Sequence, residues 1–343
     1  MAGLIDRWRG RRSRGPVAFV LGGGGNLGSL QIGMLRALVE HGVRPDMVIG
    51  CSVGAINGAA YAADPTPSGV QHLEEMWLSV PEFDIFPAGW IPNPVQLARK
   101  GSALHSNEGL RRLVEFGLPV RRFDELAIPF ECVATSVETA DEHWFGTGDL
   151  IEPILASAAL PAIYPVVSLH GGRFIDGGVV NDVPISRAIE LGARHIYVLH
   201  VGNYDRPRPE PRRPLDVAIQ AFWIARRHRF TRDLATVPTD IGVTILPPGE
   251  IPAVRYDEFS RSRDLMNQAY AAASAVLDRE AGAAPVSRPA PISVEVDRES
   301  RERGRLWRVR WDAARRRINS GEPESVTPLE ARRPTIAEGQ VSK

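Results

Sequence analysis

The chain has 343 residues, of which 43% are hydrophobic and 24% charged, a composition typical of globular proteins and unlike that of disordered chains. Basic and acidic residues both number 41, and this zero net charge argues against a dedicated nucleic-acid-binding protein. Two cysteines, Cys51 and Cys132, cannot build a disulfide framework and lack metal-site spacing. We therefore expect a reducing, cytoplasmic compartment, no nucleic acid as partner, and neither a metal nor a cofactor.

The N-terminal region carries no predicted membrane span. Its longest uncharged run, residues 15 to 35, contains Gly22–Gly25, and four consecutive glycines would weaken a spanning helix. Arg11-Arg12 imitates a twin-arginine export signal, but the apolar stretch that follows is short and has no clean cleavage site. We interpret residues 1–15 as a flexible basic leader and Val17–Leu21 as the first strand.

Strands and helices alternate over the next 180 or so residues of the sequence. Apolar runs predict strands at Val17–Leu21, Met47–Ile49, Phe130–Val137, Val166–Leu169, Arg173–Ile175 and His195–Val201. Apolar residues at helical spacing from Leu30 to Leu38 predict a helix that ends at His41-Gly42, and further helices are predicted at Ala55–Ala63 and Ser186–Leu191. This alternation predicts a three-layer α/β/α fold with a mostly parallel central sheet.

The pattern changes after residue 202. We predict a Pro/Arg-rich loop, a helix, a strand and a second helix at Arg206–Pro214, Leu215–Arg232, Val243–Leu246 and Ser260–Arg279. The expected organisation is a catalytic core at 16–202, a mainly helical C-terminal extension of that core at 203–280, and a Pro/Arg-rich tail at 281–343.

The tail contains one candidate amphipathic helix at 297–319. Nine arginines outnumber four acids there, and helical spacing places four apolar residues on one side: Trp307, Trp311, Ala314 and Ile318. A basic helix with tryptophans on its apolar face can lie at an anionic lipid surface, whereas packing of the same face on the core is the alternative. The first interpretation predicts transient, peripheral contact with a membrane.

A G-x-S-x-G motif, Gly50-Cys51-Ser52-Val53-Gly54, lies between a predicted strand and a predicted helix. This is the context of a nucleophile elbow, in which flanking glycines permit a sharp turn and expose the serine hydroxyl. The following helix directs its N-terminal amides to the place where an oxyanion would form. A plain turn is the alternative interpretation.

The first strand is followed by the glycine-rich segment Gly22–Gly28. From Gly23 it satisfies G-x-G-x-x-G, so a dinucleotide-binding loop is one hypothesis. That hypothesis requires an acid at the end of the second strand, whereas the nearest acid, Asp46, lies at its start. A loop whose amides bind an oxyanion and a purely structural turn are the other two interpretations.

Two kinds of general base are available to a Ser52 nucleophile. Asp176 directly follows a predicted strand and precedes two glycines, and burial can raise the pKa of such a carboxyl into a useful range. A triad of Ser52, Asp176 and either His195 or His200 has the right order, but an α/β-hydrolase places several strands before its nucleophile. Only two predicted strands precede Ser52, so we interpret His195 and His200 as structural residues at the edge of the sheet and not as catalytic bases.

Together these motifs resemble the patatin-like phospholipase family. Its pattern is a glycine block after the first strand, G-x-S-x-G after the second, and a distant D-G-G/A. In this sequence the three parts are Gly23–Gly28, Gly50–Gly54 and Asp176–Gly178. Ala156–Pro161 resembles the family's A-S-x-A-x-P block, and Asn181–Pro184 resembles the segment after its aspartate. The resemblance covers about residues 16–200.

The resemblance implies a lipid acyl hydrolase with a Ser–Asp dyad, Ser52 as nucleophile and Asp176 as proton acceptor. It implies an oxyanion hole of backbone amides from Gly23, Gly24, Gly25 and Val53, and a lipid ester as substrate. Leu27 departs from the family pattern, which usually has Arg or Lys there. A catalytically silent, lipid-binding or regulatory member of the family therefore stays an alternative, besides the dinucleotide-binding hypothesis.

Overall fold

The computed structural model describes residues 15–80, 85, 105–202, 210, 214–250 and 258–282. The predicted leader (apart from Gly15), most of the predicted loop at Arg206–Pro214 and the candidate helix at 297–319 lie outside the described residues.

The described strands form a single eight-stranded sheet. They are β1 (Val17–Leu21), β2 (Met47–Cys51), β3 (Phe130–Ser136), β4 (Glu142–Phe145), β5 (Val167–Leu169), β6 (Gly172–Asp176), β7 (His195–Leu199) and β8 (Gly242–Leu246). The described α-helices are α1 (Ser29–Glu40), α2 (Val53–Ala63), α3 (Pro67–Leu78), α4 (Glu108–Gly117), α5 (Ile151–Ser157), α6 (Ile185–Glu190), α7 (Pro214–Ala235) and α8 (Ser262–Gly282). Short 3₁₀ helices lie at Gly25–Gly28, Phe123–Glu125 and Gly177–Val179.

The sheet is parallel along most of its width. Hydrogen-bonded pairs connect the strands along the path β5-β6-β3-β2-β1-β7-β8, in which β6 and β2 share one edge of β3, and β4 pairs with the other edge of β3. The pairs from β3 through β2, β1 and β7 to β8 are parallel, whereas β4, β5 and β6 pair in antiparallel fashion. Parallel strands need crossover connections, which the helices between them provide.

Both faces of the sheet are covered. In β1, Phe19 and Leu21 belong to a core that includes residues of α1, α2 and α8. Ala18 and Val20 belong to a second core with residues of α6 and α7 on the opposite face. Successive side chains of a strand point to opposite faces, so a strand between two helical layers is apolar throughout. The predicted three-layer α/β/α fold with a mostly parallel sheet is confirmed.

Within the described residues the predicted strands and helices are present, and their ends differ from those in the structure by no more than three residues. Helices α3, α4 and α5 and strand β4 were not predicted from the sequence. None of the described helices has the length and apolar composition that a membrane span requires.

The first prediction concerns the contact between α1 and α8. A Cβ atom at Gly33 of α1 would lie 2.0 Å from the carbonyl oxygen of Met266 in α8, which is backbone and cannot rotate away. Gly33→Ala should therefore force the helices apart and lower the free energy of unfolding by about 1–3 kcal/mol in urea denaturation. Ala271→Ser, on the exposed side of α8, is the control and should be nearly neutral. Equal stability of Gly33→Ala and wild type would contradict this packing.

Candidate active site

Strand β3 brings the two predicted catalytic residues together. Cys51, the last residue of β2, pairs with Val133, and Asp176, the last residue of β6, pairs with Ala134. Strand β4 pairs with β3 at both of these positions and therefore occupies one edge of β3. Strands β2 and β6 both pair with the opposite edge of β3, where the end of one lies next to the end of the other. Neighbouring positions on β3 thus place the residue before Ser52 beside Asp176.

Ser52 occupies a sharp turn between β2 and α2. Its φ of 55° and ψ of −124° lie in a region that non-glycine residues rarely adopt. The flanking glycines are required by close approach, because a Cβ atom at Gly50 would lie 2.4 Å from the carbonyl oxygen of Gly54. The Ser52 N–H donates to Ser157 Oγ at 3.0 Å, which ties the turn to α5. The predicted elbow geometry is therefore present.

The side chains of Ser52 and Asp176 form a direct hydrogen bond. Ser52 Oγ donates to Asp176 Oδ2 at 2.6 Å, and Asp176 Oδ1 accepts from the Gly178 N–H at 2.7 Å. Thr135 Oγ1 donates to the Asp176 carbonyl oxygen at 2.8 Å, which holds the end of β6 against β3. Both carboxylate oxygens are thus engaged, and the carboxyl has one orientation relative to the hydroxyl.

The environment of Asp176 makes it a stronger base than an ordinary aspartate. Only 2% of the residue is exposed, and burial raises the pKa of its carboxyl to about 6, with a further upward contribution from Asp182. The Ser52 hydrogen bond, the Arg226 guanidinium and the Gly178 N–H limit the rise of this pKa. A carboxylate with a pKa near 6 is largely ionised at neutral pH, yet accepts a proton more readily than one near 4.

The two histidines of the alternative triad take other positions. His195 pairs with Val17 at the start of β1, the end of the sheet remote from Ser52, and its Nε2 contacts Thr244 Oγ1 at 3.1 Å. His200 follows β7, and its ring stacks on Phe230 with centroids 4.9 Å apart. Burial, followed by the nearby Arg226, lowers the pKa of His200 to about 3, so the ring is neutral.

The glycine segment lies directly beside Ser52. A Cβ atom at Gly23 would lie 3.1 Å from Ser52 Cβ. The Gly23 N–H donates to the carbonyl oxygen of Asp182 at 3.2 Å and to its Oδ1 at 3.1 Å. Within the described part of the chain, the N–H groups of Gly24 and Gly25 have no acceptor. Gly25 has a φ of 60°, where glycine is favoured.

Three buried polar side chains hold this segment from behind. Gln31 Nε2 donates to the Gly22 carbonyl oxygen at 2.7 Å, and Asn57 Nδ2 donates to the Gly28 carbonyl oxygen at 3.0 Å. Asn57 Nδ2 also contacts Gln31 Oε1 at 2.8 Å, and Trp77 Nε1 donates to Asn57 Oδ1 at 2.8 Å. This network was not predicted, although Gln31 and Asn57 are polar residues among apolar neighbours in the sequence, which is the signal that could have indicated it.

Leu27 and Arg226 complete the surroundings. Leu27 is partly buried and packs on the main core as an ordinary hydrophobic side chain. Arg226, on α7, forms a salt bridge with Asp182, whose carboxylate also accepts the Gly23 N–H. Asp182 belongs to the segment Asn181–Pro184 that resembles the family pattern. No role was predicted for Arg226, because the sequence of a helix does not show which distant carboxylate an arginine will pair with.

The second prediction follows from the hydrogen bond of the dyad. Ser52→Ala removes a donor to the Asp176 carboxylate, so the pKa of Asp176 should rise further above its value of about 6. A ¹³C NMR titration of the aspartate carboxyls would measure this shift. Ser168→Ala, at an exposed position of β5, is the control and should leave the titration unchanged. An unaltered or lower pKa in Ser52→Ala would mean that the hydrogen bond is absent in solution.

Comparison with known proteins gives a family and several relatives. The family model of patatin-like phospholipases matches residues 19–189. Patatin-like phospholipase domain-containing protein 6 of Mus musculus is 30% identical over 191 residues, which are 55% of this chain and 14% of that protein. Lysophospholipase NTE1 of Lodderomyces elongisporus is 26% identical over 222 residues, 62% of this chain and 14% of the relative. The chain therefore spans about one seventh of the length of these relatives.

Among solved structures, VipD from Legionella pneumophila is similar with a TM-score of 0.44 and 13% identity, over 78% of this chain and 67% of that one. The family match is the informative result, since it extends from β1 to α6 and includes both Ser52 and Asp176. On this match, the chain belongs to the patatin-like phospholipase family.

Proposed function

We propose that this protein is a serine hydrolase that cleaves acyl esters of lipids (a phospholipid, a lysophospholipid or a glyceride). The observation that carries the proposal is the 2.6 Å hydrogen bond from Ser52 Oγ to a buried carboxylate of raised pKa. A serine needs an adjacent base to become a nucleophile, and Asp176 meets that requirement. The printed names of the relatives, phospholipase and lysophospholipase, support a lipid substrate.

The reaction would proceed in two halves. Ser52 Oγ attacks the ester carbonyl carbon while Asp176 Oδ2 takes the hydroxyl proton, which gives a tetrahedral intermediate. The intermediate collapses, the C–O bond to the alcohol breaks, and Asp176 returns the proton to the departing alcohol. Asp176 then accepts a proton from water, the resulting hydroxide attacks the acyl-enzyme, and the fatty acid leaves as Ser52 regains its proton from Asp176.

The developing oxyanion needs hydrogen-bond donors beside Ser52. We assign this role to the N–H groups of Gly24, Gly25 and Val53, the first residue of α2, where the helix dipole also favours negative charge. The Gly23 N–H is engaged by Asp182, so we assign Gly23 to anchoring the loop. One such donor typically contributes roughly 3 kcal/mol to lowering the barrier.

The third prediction tests the dyad. Ser52→Ala should abolish hydrolysis of a p-nitrophenyl acyl ester, and Asp176→Asn should reduce kcat by about 10³-fold or more, because an amide oxygen is a very weak base. Wild type should also be labelled covalently at Ser52 by a fluorophosphonate, as shown by mass spectrometry of the peptide.

The controls for the dyad are His195→Gln and His200→Gln, which should keep substantial activity if they fold. Loss of activity in either folded histidine variant would contradict the dyad and indicate a catalytic triad that includes that histidine. Absence of Ser52 labelling together with absence of turnover would favour a catalytically silent, lipid-binding member of the family.

The fourth prediction tests the glycine loop through a steric clash. A Cβ atom at Gly24 would lie 2.0 Å from Val201 Cγ2. Gly24→Ala should displace the loop and lower kcat by about 10- to 100-fold, with a smaller change in KM, since the amides act on developing charge.

The matched relief variant is Gly24→Ala with Val201→Ala, which removes the clashing methyl group. Its kcat should return toward that of Val201→Ala alone. If Gly24→Ala by itself keeps the wild-type kcat in folded protein, this loop does not stabilise the oxyanion.

A further inference from the structure

Three charged side chains converge behind the dyad. A Cβ atom at Gly178 would lie 2.9 Å from Asp176 Oδ1, 3.1 Å from Asp182 Oδ1 and 3.5 Å from Arg226 Nε. Asp182 is 2% exposed, and 17% of the Arg226 side chain is exposed, so the cluster is shielded from solvent. Because the three charged groups surround one point in a poorly solvated site, each charge acts strongly on the others.

Arg226 also contacts the loop that carries the proposed oxyanion donors. A Cβ atom at Gly23 would lie 2.5 Å from Asp182 Oδ1, 3.0 Å from Arg226 Nη2 and 3.1 Å from Ser52 Cβ. Asp182 Oδ1 accepts hydrogen bonds from both the Gly23 N–H and the Arg226 guanidinium and so links the glycine loop to α7. Arg226 reaches the site from α7, which lies beyond the residues 19–189 that the family model matches.

We propose that Arg226 is a positioning residue for ester hydrolysis: paired with Asp182, it holds the glycine loop and sets the charge state of the base Asp176. The inference rests on the proposed function, since it assigns α7 a part in the same reaction. The hydrogen-bond partner of Arg226 is Asp182 and not Ser52, so its effect on the reaction passes through Asp182 and Asp176.

The charged groups around Asp176 show how the Asp182–Arg226 pair controls the ionisation of its carboxyl group. Asp182, from the loop before α6, raises the pKa of Asp176, and Arg226, from α7, lowers it. Cys51 of β2 also lies nearby, but burial raises the pKa of its thiol well above the ordinary value, so it stays neutral. His200, at the end of β7, is neutral as well. The Asp182–Arg226 pair is therefore the charged neighbour that decides how readily Asp176 ionises.

A binding site for an anionic headgroup at Arg226 is the alternative that the cluster disfavours. Two carboxylates face one guanidinium, so the ionised cluster has a net negative charge and repels a phosphate. The guanidinium already donates to Asp182 Oδ1, and Asp182 is too buried for solvent to replace that partner. Arginine is suited to such a fixed, buried pairing because it stays charged and its planar donors have set directions.

The experiment measures the pH dependence of kcat/KM for a soluble p-nitrophenyl ester in two variants with opposite charge changes. The acidic limb reports ionisation of the base in free enzyme. Arg226→Met removes the cation that favours the carboxylate, so the limb should move to higher pH by about 1 unit. Asp182→Asn removes the anion that disfavours ionisation of Asp176, so the acidic limb should move to lower pH. The amide oxygen of the introduced asparagine can still accept the Gly23 N–H.

Three further variants make the result specific. Arg226→Lys, which keeps the charge, should stay closer to wild type than Arg226→Met, and the Asp182→Asn/Arg226→Met double variant should return toward the wild-type limb. Arg227→Met, the exposed neighbour on α7, should leave the profile unchanged. Shifts in the same direction for Arg226→Met and Asp182→Asn, or no shift in either, would overturn the proposal and leave Arg226 with a structural role only.

The ¹³C titration of Asp176 in the same variants separates this inference from the proposed function, because it needs no turnover. If wild type fails to hydrolyse esters but the opposite pKa shifts appear, the proposed function fails and the electrostatic role of the pair stands. If Arg226→Met does not fold, Asp182→Asn still tests the sign, because it removes one charge and retains a hydrogen-bonding amide, and Arg226→Lys remains the charge-preserving control.

Discussion

The hydrogen bond between Ser52 and Asp176 is the interaction around which the site is built. The two residues are 124 positions apart in the chain, and 2.6 Å separates Ser52 Oγ from Asp176 Oδ2. This proximity requires two strands to end at adjacent positions of β3, one parallel to it and one antiparallel. The antiparallel part of an otherwise parallel sheet therefore brings the Asp176 carboxylate to the Ser52 hydroxyl.

Close packing around this hydrogen bond dictates where glycine is needed. Side chains at Gly50, Gly54 or Gly177 would collide with backbone atoms of neighbouring elements at 2.2–2.4 Å, so these positions can hold only glycine without movement of the backbone. Because the elements lie so close, little water reaches Asp176, and burial is the main cause of its raised pKa. The same packing thus positions the Asp176 carboxylate and raises its pKa.

Hydrogen bonds between buried polar groups hold the glycine loop in this tightly packed region. Gln31, Asn57 and Trp77 form a continuous buried network that donates to carbonyl oxygens of the glycine segment and of Leu199 in β7. On the opposite side Asp182 binds the Gly23 N–H and the Arg226 guanidinium. An unpaired polar group at this depth is costly, so each partner restricts the loop to one position.

The alternation of apolar strands and helices, the elbow at Ser52 and the strand-end aspartate can be predicted from the sequence, because each depends on residues close together in the chain. Elements α3, α4, β4 and α5 were not predicted, although α4 is markedly amphipathic; β4 and α5 are short. The tertiary structure was needed to show which strand edge Asp176 occupies, which distant groups bind Gly23, and how burial alters the pKa of Asp176. Those outcomes depend on strand register and on solvent exclusion, which arise when residues more than a hundred positions apart pack together.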